Sequence, residues 1–581
     1  MEKLKIIVKE HKWAVIFALF CVLIIMAPQV YFRFAHRDIY QGIEMMASSD
    51  ETAYLSRVRD AQDGHISLGN PYLKEAKNDP YMMPPLGEII VGYLGKILFL
   101  DIRNTVLLSR FIFPFLDFLL IYSFVYLLSK KKLTALAASI GVMLGSILLN
   151  QRAIFQLLAG ASPRLDFLMF NRPIIPSVHI FLFFGFLVCC WLFLERKVLR
   201  WGILAALFLG SSFYLYFYTW SFLYAFCGVL CLLFLFQKKW GDIKRIVAVM
   251  LAGIILAIPY FLNLYSVSQN SMYAEMSQRF GFVASRAPVL GFLITPLLVI
   301  FLLFFSKQWK ERFIFSLALL LTPFIVLNQQ LITGRVLINA HYHWYFHTPL
   351  AVIFLTIILF ELIAKTRKKF LEKIAAFLMI CASLYAGIFI QYASYNSREK
   401  DTADNQRYGP VLEWLSGNGR KEEVVFANDK ISSLVVIYTP QNIFYHTPAI
   451  YYLGTTEERL KDALFSFYRL NGLGGGEARE TFFKERATVS SLVYAMYYRE
   501  TTGDYGGIPD AILEELIREY ENTLSIPTEK YYKDLWQKYN VDYVVWDRTQ
   551  EPQWQLNNYS FLEEAYQNNG LIIYRFNQDA R

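Results

Sequence analysis

Cysteine is scarce in this chain, and none of it stands where cysteine chemistry would need it. All six residues, Cys21, Cys189, Cys190, Cys227, Cys231 and Cys381, fall inside apolar runs, with neither metal-ligand spacing nor an outside loop in which to pair. That excludes a disulfide framework and a cysteine-based metal site. Charged residues are few as well, at 18%. Internal repeats and helices interrupted near the bilayer midplane, the usual marks of a secondary transporter, are not visible. A phosphate-cradling loop is also missing. Gly472-Leu473-Gly474-Gly475-Gly476 follows a helical pattern instead of a strand, so it reads as a flexible turn.

What is abundant is apolar sequence in long blocks. Hydrophobic residues make up 55% of the 581 and aromatics 17%, gathered in runs and not in the alternating patches of a soluble core. Runs of ~17–25 apolar residues can cross a bilayer. They fall near 13–34, 104–128, 133–150, 174–194, 201–216, 217–236, 246–264, 289–306, 313–328, 348–364 and 371–392. The expected fold class is a polytopic α-helical membrane protein with about eleven transmembrane helices.

Lys3, Lys5, Lys9 and Lys12 precede the first run, which is long and followed by no small-x-small cleavage site. It reads as an uncleaved helix. Short basic connections, Lys130-Lys131-Lys132, Glu195-Arg196-Lys197, Gln237-Lys238-Lys239, Lys307 to Arg312 and Lys365 to Lys369, alternate with longer polar ones. The positive-inside rule puts the basic set in the cytoplasm. An odd number of spans then carries residues 35–103, 151–173, 265–288, 329–347 and everything after about 393 to the outside. The chain is expected in the cell membrane with its C-terminal domain extracytoplasmic.

The overall charge of +9 divides unevenly. Residues 393–581 hold 20 Lys+Arg against 28 Asp+Glu, net −8, which leaves +17 for the membrane part. Most of that excess is topology signal, so no nucleic-acid partner is expected. Two domains follow: 1–392, the membrane domain with its outside loop 35–103, and 393–581, a soluble domain. In the latter, strand-like runs occur at Val424–Ala427, Leu434–Tyr438, Val541–Trp546 and Leu571–Phe576, with helical periodicity at about 456–470 and 509–523. The pattern fits a small α/β domain.

The first outside loop carries an acidic pair, Asp50-Glu51. Tyr54, Arg57 and Arg59 follow at a spacing that puts most of them near one side of a short helix, and on residue types alone this is a solvated interfacial helix. Further on, Asn78-Asp79-Pro80-Tyr81-Met82-Met83-Pro84-Pro85-Leu86-Gly87 makes a stiff turn. It feeds an amphipathic stretch from Glu88 to Leu100 that lies along the interface.

Taken together, these residues resemble the first extracytoplasmic loop of the GT-C glycosyltransferases, especially the aminoarabinose transferase and protein O-mannosyltransferase group. The shared pattern is Asp50, Glu51, Tyr54, Gly64, Tyr81, Pro84, Pro85 and Leu86, with Arg110 early in the next span. The detailed likeness covers roughly residues 40–120, and the remainder matches in architecture only. One departure is Met83, where the aminoarabinose transferases carry a Lys before the Pro-Pro; Lys74 or Lys77 would then have to supply that contact to the donor phosphate. The resemblance implies transfer of a sugar from a polyprenyl-phosphate donor, with inversion, to a glycan, lipid or protein acceptor at the outer face among membrane lipids. No cofactor is expected.

Elementary chemistry agrees with that expectation. An acceptor hydroxyl needs a general base within hydrogen-bond reach, and a carboxylate in a partly desolvated pocket has its pKa raised. Asp50 is the first choice, with Glu51 orienting the acceptor or tuning Asp50, or the reverse. The departing phosphate calls for fixed cations, and arginine suits because its fork grips phosphate oxygens in pairs. Candidates are Arg57, Arg59, Arg110 and Arg335, with Arg164 and Arg172 in the second outside loop. Each alone also fits a snorkelling or topology role.

In the second loop Asp166 either binds acceptor or pairs with Arg164 or Arg172. In the fourth, His341-Tyr342-His343-Trp344-Tyr345-Phe346-His347 holds three of the eight histidines, suited to phosphate or sugar hydrogen bonding, to interfacial packing, or to a metal if the imidazoles converge. No carboxylate completes a metal set nearby, and Asp50-Glu51 is not an Asp-x-Asp. A divalent metal is possible but not favoured. A transporter or flippase of lipid-linked saccharides remains the alternative, as does a non-catalytic cell-envelope assembly protein.

Overall fold

The computed structural model of the chain describes residues 9–305 and 310–577. Lys3, Lys5 and the connecting residues 307–309 lie outside them. Among the described residues seven helices are long and apolar enough to cross a membrane: Lys12–Ala35, Ile102–Ser129, Ser177–Arg196, Phe217–Phe236, Arg312–Thr333, Ala340–Lys365 and the apolar part of Lys369–Asn418. The first, with 24 residues, extends about 36 Å, more than the ~30 Å hydrocarbon core. An eighth would be Trp240–Leu256 with Ile258–Gln269, bent by 51° where Pro259 enters the second helix's first turn and removes a backbone donor. Three shorter apolar helices, Lys132–Leu144, Leu199–Phe213 and Ile294–Phe305, fall on the remaining apolar runs. By length seven or eight of the described helices can cross a bilayer, while each of the eleven apolar runs carries one of these helices or the bent pair. A long run in the sequence contains a shorter helix wherever a turn takes its end, as Gly145 does after Leu144.

Aromatic rings fill the bundle interior. Phe183 meets Phe184, Phe222 and Phe346 edge-on at 5.0–5.4 Å, the preferred geometry for paired rings. The opposite faces leave Leu23, Phe236 and Leu303 more than half exposed. That would be costly in water and is ordinary in hydrocarbon.

The loop between the first two spans is folded, not solvated. A helix over Glu51–Gln62 buries Glu51, Leu55, Ser56, Arg57, Val58, Asp60 and Ala61 against the amphipathic helix Leu86–Ile97. The approach is close enough that a Cβ on Gly92 would lie 2.9 Å from both Ala61 Cβ and the Val58 carbonyl oxygen. Only glycine fits there. The loop also docks on the C-terminal domain, through Asn70 Nδ2 to the Leu453 carbonyl at 3.1 Å and Glu75 to Arg459 at 2.8 Å. Arg279, from a later loop, donates to the carbonyls of Ile450 and Thr455. These loops and the C-terminal domain therefore share one end of the bundle.

The helix that carries the last apolar run continues past residue 392. It spans Lys369–Asn405, and Gln406 then ties it to the first loop through the Gln41 and Ile43 amides. The C-terminal sheet has five strands in the order Asn442–Ile443, Val424–Phe426, Val541–Asp547, Leu571–Phe576, Leu562–Asn568. The first three are parallel and the last two join antiparallel. Leu434–Tyr438, read from sequence as a strand, is the end of a helix over Asp429–Tyr438. The Asn428 side chain caps that helix by accepting from the Ile431 amide at 2.9 Å. Its last five residues are all buried, and the resulting unbroken apolar run carries no helical period.

Candidate functional site

At the end of the bundle that meets the C-terminal domain the chain brings two carboxylate–arginine pairs side by side, and the two differ in kind. Glu51 opens the loop helix, where its carboxylate accepts from the Ala47 amide and from Arg110. Arg110 in turn donates Nε to the Asn171 carbonyl at 2.8 Å. Both side chains are 1% exposed. Burial pushes the Glu51 carboxyl above the usual range, against the pull of Arg110. This pair is a closed structural lock between loop and bundle.

Asp50, one residue earlier, is open. Its side chain is 57% exposed, and it makes no capping bond to the helix it precedes, unlike most aspartates at that position. Instead Oδ1 accepts from Ser48 Oγ at 2.7 Å and Oδ2 from Arg172 Nη2 at 2.5 Å. Burial raises its pKa, but Arg172 and Ser48 together outweigh that and hold the carboxyl below its ordinary value. The raised pKa expected of the base is therefore found at Glu51, because Asp50 keeps its arginine and Ser48 as partners and is more exposed.

Arg172 is the hub. Nη1 donates to Tyr345 Oη at 3.3 Å, the guanidinium lies over the Tyr54 ring at 5.6 Å, and Nε is buried without a partner. Behind it, His341 Nδ1 meets Tyr216 Oη at 2.6 Å. His179, wholly buried, packs its ring 4.9 Å from Tyr216 and 5.1 Å from Tyr345, with neither ring nitrogen hydrogen-bonded. The helical turn over His343–His347 is of the wider π kind, which often accompanies functional sites. Arg164 stands near enough to Tyr345 and Arg172 to influence both.

The other residues singled out in the sequence are placed differently. Arg57 is buried, paired with Glu88 at 3.0 Å and donating to the carbonyls of Met83 and Pro84; it fastens the Pro84-Pro85 turn. Arg59 pairs with Asp63 at 2.9 Å and Lys77 with Asp60 at 2.5 Å. Lys74 starts a short turn facing the C-terminal domain near Asp542. Tyr81 accepts from Asn263 through its carbonyl. Arg335 is exposed in a two-residue strand. Asp166 pairs with Arg398 at 2.5 Å, not with Arg164 or Arg172, because the extended last helix brings Arg398 to it. His343 is exposed and His347 buried, their rings 6.5 Å apart. Among the described residues no group of three or more His, Cys, Asp or Glu side chains is arranged to hold a metal.

Sequence reasoning missed Ser48, Tyr216, His179 and the hydroxyl of Tyr345. His179 carried a signal, as an ionisable residue inside an apolar run. Tyr216 lies in the run Phe213–Trp220, where aromatic content hides it.

No protein-family model matches the chain, and no curated protein matches it. Among solved structures, ArnT from Cupriavidus metallidurans bound to undecaprenyl phosphate is 9% identical, with a TM-score of 0.45 over 97% of this chain and 98% of that one. The Archaeoglobus fulgidus oligosaccharyltransferase tethered with an acceptor peptide is 11% identical, with a TM-score of 0.47 over 92% of this chain and 69% of that one. Overlap of this extent is distant, and what the site does has to come from this chain's own residues.

Proposed function

We propose that this chain is an integral membrane glycosyltransferase of the GT-C type that moves a sugar from a polyprenyl-phosphate carrier to an acceptor hydroxyl at the outer face of the membrane. The observation that carries the reading is Arg172. One guanidinium holds the exposed Asp50 carboxylate while its buried Nε stays free, in a pocket of tyrosine hydroxyls and imidazoles that can donate to phosphate oxygens. An unfilled arginine donor beside a solvent-facing carboxylate suits a substrate that is anionic on one side and hydroxylic on the other.

In the proposed reaction the acceptor oxygen attacks the anomeric carbon of the donor sugar. The new C–O bond forms as the bond from that carbon to the carrier phosphate breaks, and polyprenyl phosphate leaves with the electron pair. The hydroxyl proton passes to Asp50. Attack from the face opposite the leaving group inverts the anomeric centre. Arg172, with Tyr345, His341 and Arg164, stabilises the charge gathering on the phosphate. The arriving phosphate competes with Asp50 for the same guanidinium. As Arg172 turns toward it, Asp50 loses the partner that keeps its pKa low, and burial, the opposing influence, makes it a stronger base when the hydroxyl is in place. Glu51 and Arg110 hold the frame. The scheme needs no cofactor and no metal, and the C-terminal domain stands outside with the loop it packs on.

Membranes carrying the protein, incubated with radiolabelled polyprenyl-phosphate sugars, test the class. Label arriving on a new acceptor supports a transferase; label that only changes leaflet identifies a flippase, and label that stays put with intact binding identifies an assembly protein.

A further inference from the structure

A cleft of about 190 Å³ opens beside the Asp50 loop, between it and the outer end of the last long helix. Its wall comprises Glu44, Ser48, Ser49 and Thr52 from the loop, and Arg398, Asp401, Thr402 and Asn405 from the helix, over an apolar floor of Ile43, Met46 and Leu434; Glu44 is already paired with Arg33. Ser48 belongs to the cleft and also donates to Asp50 Oδ1, so the cleft meets the proposed base on a contact different from the one made by Arg172.

Two atoms in this wall lack partners and are buried: the Nε donor of Arg398 and the Oδ1 acceptor of Asn405. Arg398 is steered there by Asp166, which takes its Nη2 at 2.5 Å. A phosphate would satisfy the guanidinium but leave the Asn405 oxygen unpaired and face Asp401. An alkyl chain would satisfy neither. A hydroxyl both accepts and donates, and several on one ring meet the Ser49, Thr52 and Thr402 hydroxyls and, with a turn of the Arg398 and Asn405 side chains toward the cleft, both orphans, while the ring's CH face rests on Ile43, Met46 and Leu434. The volume lies below the ~300 Å³ of pockets that hold drug-sized ligands, so it takes one ring and not a chain.

We infer that this cleft binds a neutral, polyhydroxylated saccharide unit, the terminal residue of a glycan acceptor, and presents its hydroxyl to Asp50. The inference rests on the transferase reading and adds the acceptor's chemical class and its route of approach.

The test uses the full-length protein in membranes with radiolabelled undecaprenyl-phosphate sugars, comparing wild type with Ser49→Trp, which blocks the exposed mouth, and Asn405→Leu, which removes the orphan acceptor at similar size. Binding of labelled undecaprenyl phosphate serves as the folding check for each variant. The expected result is label on carbohydrate with wild type, and transfer reduced at least ~10-fold in both variants that still bind the carrier, as loss of a well-placed substrate contact does. Wild-type transfer rates in both variants overturn the cleft, and label arriving on protein or phospholipid overturns the saccharide assignment. Absence of any transfer by the wild type removes the transferase reading itself, and this inference with it.

Discussion

Replacing Arg172 separates chemistry from folding in a way the neighbouring arginine cannot. The Arg172–Asp50 pair is 17% exposed on its basic side and 57% on its acidic side, so removing the guanidinium leaves a carboxylate that water reaches and not a buried unpaired charge. Arg172→Ala should therefore fold and insert. Its effect falls on the reaction: removing one preorganised donor from the charge developing on the leaving phosphate costs about 10²–10³-fold in kcat, and Arg172→Lys, which keeps charge but loses the fork, should recover part of that. The pH profile adds a second reading. Asp50 works as the carboxylate, so activity is present above its pKa and lost as pH falls through it. In the wild type Arg172 holds that pKa below its ordinary value, which for aspartate is about 3.9. The acid limb of kcat/KM then lies at the low edge of the accessible range. In Arg172→Ala burial acts unopposed by the guanidinium, and the acid limb should move to higher pH. Steady-state transfer measured between pH 4 and 8 checks both. An alanine variant with wild-type rates and an unmoved acid limb refutes the shared-guanidinium mechanism.

Three further outcomes follow from the same geometry. Arg110→Ala leaves Glu51 buried without its counterion and should destabilise the protein by about 3–5 kcal/mol, seen as a lowered Tm before any kinetic defect is interpretable; an unchanged Tm would mean that the Glu51–Arg110 lock is not structural. Ser416→Cys, at an exposed position of the C-terminal segment, should react with a membrane-impermeant maleimide in intact cells while Lys132→Cys is protected, and the reverse pattern inverts the topology. Chelating agents should leave transfer unchanged, and loss of activity restored by a divalent cation would point to metal-assisted transfer.

Much of this was legible in the sequence, and the gaps have physical causes. Long apolar runs and alternating basic loops reveal the bundle because bilayer thickness dictates the length of a span. The Asp50-Glu51 pair stood out because two adjacent carboxylates follow the first span in the order, with Tyr54, Pro84 and Pro85, on which the resemblance rests. The division of labour between them did not: which carboxylate is buried depends on Arg110 and Asn171 coming together with the loop, over a separation no local pattern encodes. Leu434–Tyr438 misled because a helix buried on all sides has no polar face to set its period. The strand Leu562–Asn568 was missed although Asn569-Gly570, both with positive φ, makes the turn that marks a hairpin. The cleft was invisible for a related reason. Residues 393–405 read as the start of a soluble domain, yet they continue a membrane helix and carry Arg398 to Asp166.

The central claim is that Asp50 accepts the acceptor's proton, and single-turnover transfer by Asp50→Asn tests it most directly. The substitution keeps the shape and removes the proton acceptor. With carrier-linked sugar saturating and the protein shown to be folded by carrier binding, the account predicts a fall of about 10²-fold or more in the rate of transfer, against a smaller loss for Glu51→Gln. Transfer by Asp50→Asn at a near wild-type rate, with its proper donor and acceptor, would contradict it.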